Sequence, residues 1–167
     1  ISSINEKTGT GSRIGLIQFY FSWENEHLHE FKVPGDRIYI SDNGSIVYDK
    51  AKSIYVDEIN KEEVIKVLQD VRKIKNIYPI LCGVKSAYVE NDNEIFLENA
   101  RMYYAKLEIV DDLMNVLEKD KICKLAVFDM EDAEKNAYKA LEKYNENLLV
   151  CLSGHNWVDL MNPGVNK

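Results

Sequence analysis

Between Ile122 and Phe128 the chain reads Ile-Cys-Lys-Leu-Ala-Val-Phe, a short apolar run of the kind that forms a central β-strand. Directly after it, Asp129 is placed to cap a helix carrying Ala133, Ala137, Ala140, Leu141 and Tyr144 at helical spacing. A strand that feeds straight into an amphipathic helix must find further strands to pair with. The surrounding sequence supplies them.

Asn60 stands at an N-cap position with Glu63 three residues on, and Val64, Val67, Leu68, Val71 and Ile74 follow on one helical face. Pro79 to Val84 and Ala87 to Val89 read as strand, and Ile95, Phe96, Asn99, Ala100, Tyr103 and Tyr104 as a second helix. Leu148 to Leu152 and Trp157 to Met161 read as paired strands around the polar loop Ser153-Gly154-His155-Asn156. Toward the N-terminus, Pro34-Gly35-Asp36 is a turn and Ile38 to Ser41 a short strand. A hairpin then follows, with Ile46 and Tyr48 on one arm and Ile54 and Val56 on the other. Ile17, Tyr20, Phe21, Glu24, Leu28 and Phe31 suggest a helix. This order predicts an α+β layer: a mostly antiparallel sheet with two main helices on one face.

With 46% hydrophobic and 29% charged residues the chain has the balance of a soluble globular protein, and its 167 residues suffice for one core or two small lobes. A formal charge of -7 gives no electrostatic footprint for nucleic acid or for an anionic membrane surface. No apolar stretch approaches the ~20 residues of a membrane span, and no signal-peptide layout is present. Cys82, Cys123 and Cys151 are widely spaced, odd in number and set in apolar runs, as expected of buried thiols in a reducing compartment. A cytoplasmic location is the expectation.

Few residues invite chemistry. Asn43-Gly44 between two β runs is a strong hairpin signal in its own right. Gly9-Thr10-Gly11-Ser12-Arg13-Ile14-Gly15 has the glycines of a phosphate loop without the preceding strand or a following Lys-Ser/Thr pair. His27 and His29 are badly spaced for a shared metal, and His155 fits a turn. Asp111-Asp112 and Asp129-Met130-Glu131-Asp132 sit beside helix starts, where acidic side chains favour the dipole.

Asp42-Asn43-Gly44-Ser45 and Asn162-Pro163-Gly164-Val165-Asn166-Lys167, in that order and at that separation, resemble two hinge points of the Cof-type phosphatases of the haloacid dehalogenase (HAD) superfamily. There the cap leaves the catalytic core and rejoins it. The resemblance covers Ile38 to Lys167. It implies a partial core segment at residues 1–44, an α+β cap of type C2 at 45–161, and a return hinge to the core at 162–167. It also implies that Asn43 and Gly44 lie at the substrate and that Lys167 steadies the phosphate and the nucleophilic carboxylate. The family's phosphate-binding Ser or Thr could correspond to Ser2 or Ser3, or to the Thr10-Gly11-Ser12-Arg13 stretch.

Such enzymes hydrolyse small phosphorylated metabolites, typically sugar phosphates, through an aspartyl-phosphate, with Mg²⁺ as cofactor. The nucleophile belongs to a D-x-D-x-T motif, and no such motif occurs in the 167 residues. The chain by itself is therefore expected to be inactive, with the nucleophile and metal ligands in the remaining core segments. The alternative is a non-catalytic α+β domain that binds a ligand or a protein, in which Asn43-Gly44 is only a turn.

Overall fold

The computed structural model describes residues 38–49 and 52–165. The helix expected before Phe31, the Pro34-Gly35-Asp36 turn, the glycine-rich stretch, Ser3, His27, His29 and Lys167 lie outside the described residues. Strands β1 (Ile38–Ser41), β2 (Ile46–Asp49) and β3 (Lys52–Val56) form an antiparallel meander. The second sheet has the order β6-β5-β4-β7-β9-β8, built from β4 (Ile77–Gly83), β5 (Ala87–Val89), β6 (Leu107–Ile109), β7 (Ile122–Asp129), β8 (Leu149–Gly154) and β9 (Trp157–Met161). All its pairings are antiparallel except β5 with β6.

Every residue of β7 is buried, because the sheet is covered on both faces. On one face, helix α1 (Lys61–Val71) and the helical segment 134–146 pack Val64, Val67, Leu68, Ala137 and Leu141 against Leu81, Leu125, Val127 and Leu160. On the other, helix α2 (Glu94–Tyr103) packs Phe96, Leu97 and Ala100 against Ile80, Cys82, Ala126 and Phe128. The alternation of neighbouring strand residues between these two cores is the period of two that a pleated strand imposes. The architecture is α+β, as the order of elements predicts.

Local chemistry explains both the agreements and the departures. Asn60 caps α1 by accepting from the Glu62 N–H at 2.8 Å. Glu63 does not close a capping box; its carboxylate takes the Lys66 ammonium at 2.7 Å instead. The helix ends at Val71, so Ile74, predicted on the same face, packs from the following turn. Asn93 caps α2 through the Phe96 N–H, and Asp112 caps the 3₁₀ segment Leu113–Glu118 through Met114 N–H.

The helix predicted after β7 is present but irregular, beginning with a π turn over Glu134–Tyr138. The buried Asp129 carboxylate accepts from the N–H groups of Glu131, Asp132 and Ala137. With Ala137 N–H drawn to that side chain, Tyr138 N–H reaches back five residues to the Ala133 carbonyl at 2.7 Å. Pro79 stands in β4 where β5 no longer runs alongside, so its missing N–H breaks no second ladder. Cys82 and Cys123 are buried and Cys151 half-buried. No helix among the described residues is long and apolar enough to cross a membrane.

Candidate functional site

The turn that joins β1 to β2 is a 3₁₀ turn over Asp42–Gly44, with φ of 46° at Asp42, 58° at Asn43 and 107° at Gly44. Three successive residues thus occupy the left-handed half of the map, which costs a non-glycine residue about 1 kcal/mol or more. Asp and Asn are the types best able to adopt it, and glycine does so freely. The turn closes with the Ser45 N–H donating to the Asp42 carbonyl at 3.1 Å. Asn43-Gly44 is therefore a hairpin turn, though not a two-residue one.

That turn lies over the far end of the six-stranded sheet. Asn43 Nδ2 is 3.4 Å from Asp159 Oδ2 and 3.9 Å from the Met161 sulfur, both on β9. Beneath it, Lys124 projects from the middle of β7, only 4% exposed, with its ammonium 3.7 Å from Asp42 and 3.8 Å from Asp159. The same ammonium sits 5.7 Å from the centroid of the Tyr104 ring. Among the described residues, neither oxygen of the buried Asp42 accepts a well-formed hydrogen bond, and the buried hydroxyls of Ser41 and Ser45 make none either, although Ser41 lies beside the carboxylate. One cation thus faces two carboxylates, all three largely out of water.

Burial lifts the Asp42 carboxyl above its ordinary range, against the pull of Lys124. Burial alone would weaken the proton's hold on Lys124, but the carboxylates beside it, Asp159 foremost, outweigh burial and keep the ammonium charged. Cys82, whose thiol lies 3.4 Å from the Tyr104 hydroxyl, is pushed up to about 12, chiefly by burial. It remains an inert thiol.

Since Asp42 binds its proton more tightly in the folded chain than in the unfolded one, it makes stability fall as pH rises from about 4 toward its folded value. Asp42→Asn keeps the shape and the left-handed backbone while leaving Lys124 one carboxylate. It is expected to raise the midpoint of thermal unfolding at pH 7 by about 2 °C or more and to flatten the pH dependence above pH 4. A lower midpoint at pH 7 would show that the Asp42–Lys124 attraction exceeds the cost of burying the carboxylate.

A cavity of about 300 Å³ opens beside this cluster, between the C-terminal end of α2 and the β8–β9 hairpin. Lys124, Asp159 and Tyr104 form its inner end, with Tyr103, Trp157 and His155 on the walls. Its size is at the lower end for small-molecule sites, and a few convergent polar groups among aromatic rings are what such sites use. The Tyr103 and Trp157 rings meet edge-on at 5.5 Å, and Trp157, Phe128, Phe96 and Tyr78 continue inward as a row of ring contacts. His155 keeps the turn role its sequence suggests, its carbonyl accepting from Ala133 N–H, while its residue also borders the cavity. A wider groove of about 670 Å³ runs along β3, but Asp120, the buried carboxylate on its lining, already accepts from Tyr88, Lys85 and Lys121.

The strands that lead into and out of the six-stranded sheet are tied together at the same end. Asn162 Nδ2 donates to Asp57 Oδ1 at 2.6 Å and to the Glu58 carbonyl at 3.1 Å, and Asp57 N–H donates to the Ser45 carbonyl at 2.8 Å. Asn43 and the segment approaching Lys167 are therefore neighbours in space. Lys124, Asp159 and Tyr104 are not singled out as site residues by sequence reasoning, and Asp42 only as part of the Asp42-Asn43-Gly44-Ser45 motif; for Lys124 the signal available was a lone charge inside an otherwise apolar strand.

The chain belongs to the haloacid dehalogenase-like hydrolases, whose sequence profile matches residues 22–167. Its resemblance to the Cof-type members holds. Among solved structures it is similar to a haloacid dehalogenase-like hydrolase from B. subtilis (13% identity, TM-score 0.73, covering 91% of this chain and 62% of that one). It is also similar to a phosphatase of the same superfamily from Bacteroides thetaiotaomicron (18% identity, TM-score 0.67, covering 90% of this chain and 54% of that one). A third is a sugar phosphatase of HAD subclass IIB (17% identity, TM-score 0.60, covering 77% of this chain and 48% of that one). The chain thus spans about half to three-fifths of the length of these structures. A sequence comparison with curated proteins gives no match.

Proposed function

We propose that, within the cap expected at residues 45–161, the six-stranded sheet and its helices are the substrate-specificity cap of a HAD-type phosphatase, with residues 1–44 in its catalytic core and 162–167 returning to it. The entry hinge moves from 44/45 to about Asp57, because β2 and β3 stay paired with β1 in one meander. The observation that carries this reading is the convergence of Asn43, Asp57, Asp159 and Asn162 at one end of the sheet. Two adjacent chain crossings at a single edge form a hinge, which lets a lid swing over a site without unfolding.

In this reading Asn43 and Gly44 meet the substrate at the hinge and Lys167 steadies the phosphate. Ser3 is a candidate hydrogen-bond donor to the same group. The substrate is a small phosphorylated metabolite such as a sugar phosphate, whose leaving group the cavity beside Trp157 and Asp159 receives. An aspartate outside these 167 residues attacks phosphorus, the leaving group departs as an alcohol, and water then cleaves the aspartyl-phosphate. Closure of the cap keeps bulk water from the reacting centre.

Mg²⁺ would neutralise the phosphoryl oxygens. The described residues do not suit it, since none of their His, Cys, Asp and Glu side chains cluster in threes or more. Its ligands are assigned to the core segments. A cytoplasmic location suits such substrates.

The test compares residues 1–167 with the full-length protein on para-nitrophenyl phosphate and Mg²⁺. Metal-dependent turnover is expected from the full-length protein and none from the 167 residues alone. Robust metal-dependent turnover by the 167 residues would place the nucleophile within them and overturn the division proposed here.

A further inference from the structure

We propose that Lys124 is a positioning residue, which holds the Asn43 turn against strands β7 and β9 and so sets the placement of Asn43 at the phosphate. The catalytic part rests on the function proposed above. The placement of the turn does not.

Four observations converge on it. The Asp42–Gly44 turn is left-handed at three consecutive residues, a conformation closed by the Ser45–Asp42 bond and the β1–β2 ladder and favoured further by any contact that holds it from outside. Among the described residues no well-formed hydrogen bond reaches the Asp42 carboxylate, although the Ser41 hydroxyl lies beside it, and the ammonium of Lys124 faces it at 3.7 Å. Asp159, which accepts from Asn43 Nδ2, is the second anion facing that ammonium, at 3.8 Å. Lys124 therefore touches both ends of the turn's attachment, Asp42 directly and Asn43 through Asp159.

The last observation is the company Lys124 keeps. Every other residue of β7 that faces a core is apolar or, like Asp129, saturated by backbone donors. A buried ion pair is weak evidence of stabilisation, and its best-attested use is to fix one arrangement among several. The contacts of 3.4 to 3.8 Å are also longer than fully formed charge-assisted hydrogen bonds, which run at about 2.7–2.9 Å. The cluster has room to tighten, and since Lys124 and Asp159 border the cavity, a leaving group bound there acts on the same ammonium.

Full-length wild type, Lys124→Met, Asp42→Asn and the Lys124→Met/Asp42→Asn double variant would be compared by amide hydrogen exchange and by steady-state hydrolysis of a sugar phosphate. In Lys124→Met, exchange at the amides of residues 42–46 should rise at least tenfold more than exchange at the α1 amides, which report global opening. Its kcat should fall at least tenfold with KM within threefold. The double variant should lose no more than Lys124→Met alone, as expected when both residues act through one turn.

Unchanged exchange at 42–46, or equal acceleration in α1, would overturn the assignment. So would a loosened turn with undiminished kcat. If Lys124→Met does not fold, the double variant, with one uncompensated carboxylate fewer, is read against wild type by the same criteria. If the wild type hydrolyses no phosphate ester, the phosphatase reading fails, and exchange alone decides whether Lys124 holds the turn.

Discussion

Lys124→Met is expected to lower the stability of the chain by about 3–5 kcal/mol, the cost of stripping a buried cation from its carboxylates. Methionine fills much of the same space, so the loss is one of charge rather than of volume. It leaves Asp42 and Asp159, 2% and 5% exposed, to face each other without a counter-charge. In a domain stable by about 5–15 kcal/mol that is a large share, equivalent to a drop of about 10 °C in the midpoint of thermal unfolding. Neutralising the partners as well, in Lys124→Met with Asp42→Asn and Asp159→Asn, should recover most of the loss. Urea denaturation followed by circular dichroism measures both. A loss below about 1 kcal/mol for the single variant would mean that water reaches the cluster and that it is not a buried charge network.

Phe96→Ala is expected to cost about 3–5 kcal/mol, the usual range for truncating a fully buried phenylalanine. Its ring stacks on Tyr78 at 4.9 Å and lies 5.9 Å from Phe128, which in turn contacts Trp157 at 4.9 Å. Beyond stability, the wall of the cavity should loosen, because Trp157 is held from behind by this row. Fluorescence of Trp157, isolated by Trp23→Phe, is a direct reporter, read against Phe96→Leu as the milder control. Full retention of stability in Phe96→Ala would show that α2 is not anchored to the sheet by this side chain.

Much of the fold was legible because local rules and tertiary demands agree there. Asn60 and the Val64–Val71 face specify α1, and the polar loop between Leu152 and Trp157 specifies a hairpin. Where a side chain overrides the local rule, the reading departs from the structure. The Asp129 carboxylate, expected only as a cap, takes the Ala137 N–H and turns the start of the next helix into a π turn. Strand β6 escaped notice because three residues, two of them exposed, carry no usable periodicity.

The site was half legible. Asn43 and Gly44 stood out because their backbone conformation leaves a mark in residue type. Lys124 did not, because its meaning depends on Asn43 and Asp159, 116 residues apart, folding onto the same spot. A lysine in an apolar strand could equally be an edge residue reaching water. What distinguishes this one is that β7 lies between β4 and β9, with cores on both faces.

An experimental structure of the full-length protein with Mg²⁺ and a phosphate-mimicking oxyanion would decide whether this sheet is a lid over a phosphoryl-transfer site. The expected result is the oxyanion within hydrogen-bonding distance, about 3 Å, of both the Asn43 and Lys167 side chains, with the leaving-group side of the site opening toward Trp157 and Asp159. An oxyanion and metal bound elsewhere, with Asn43 and Lys167 in separate clefts, would contradict it.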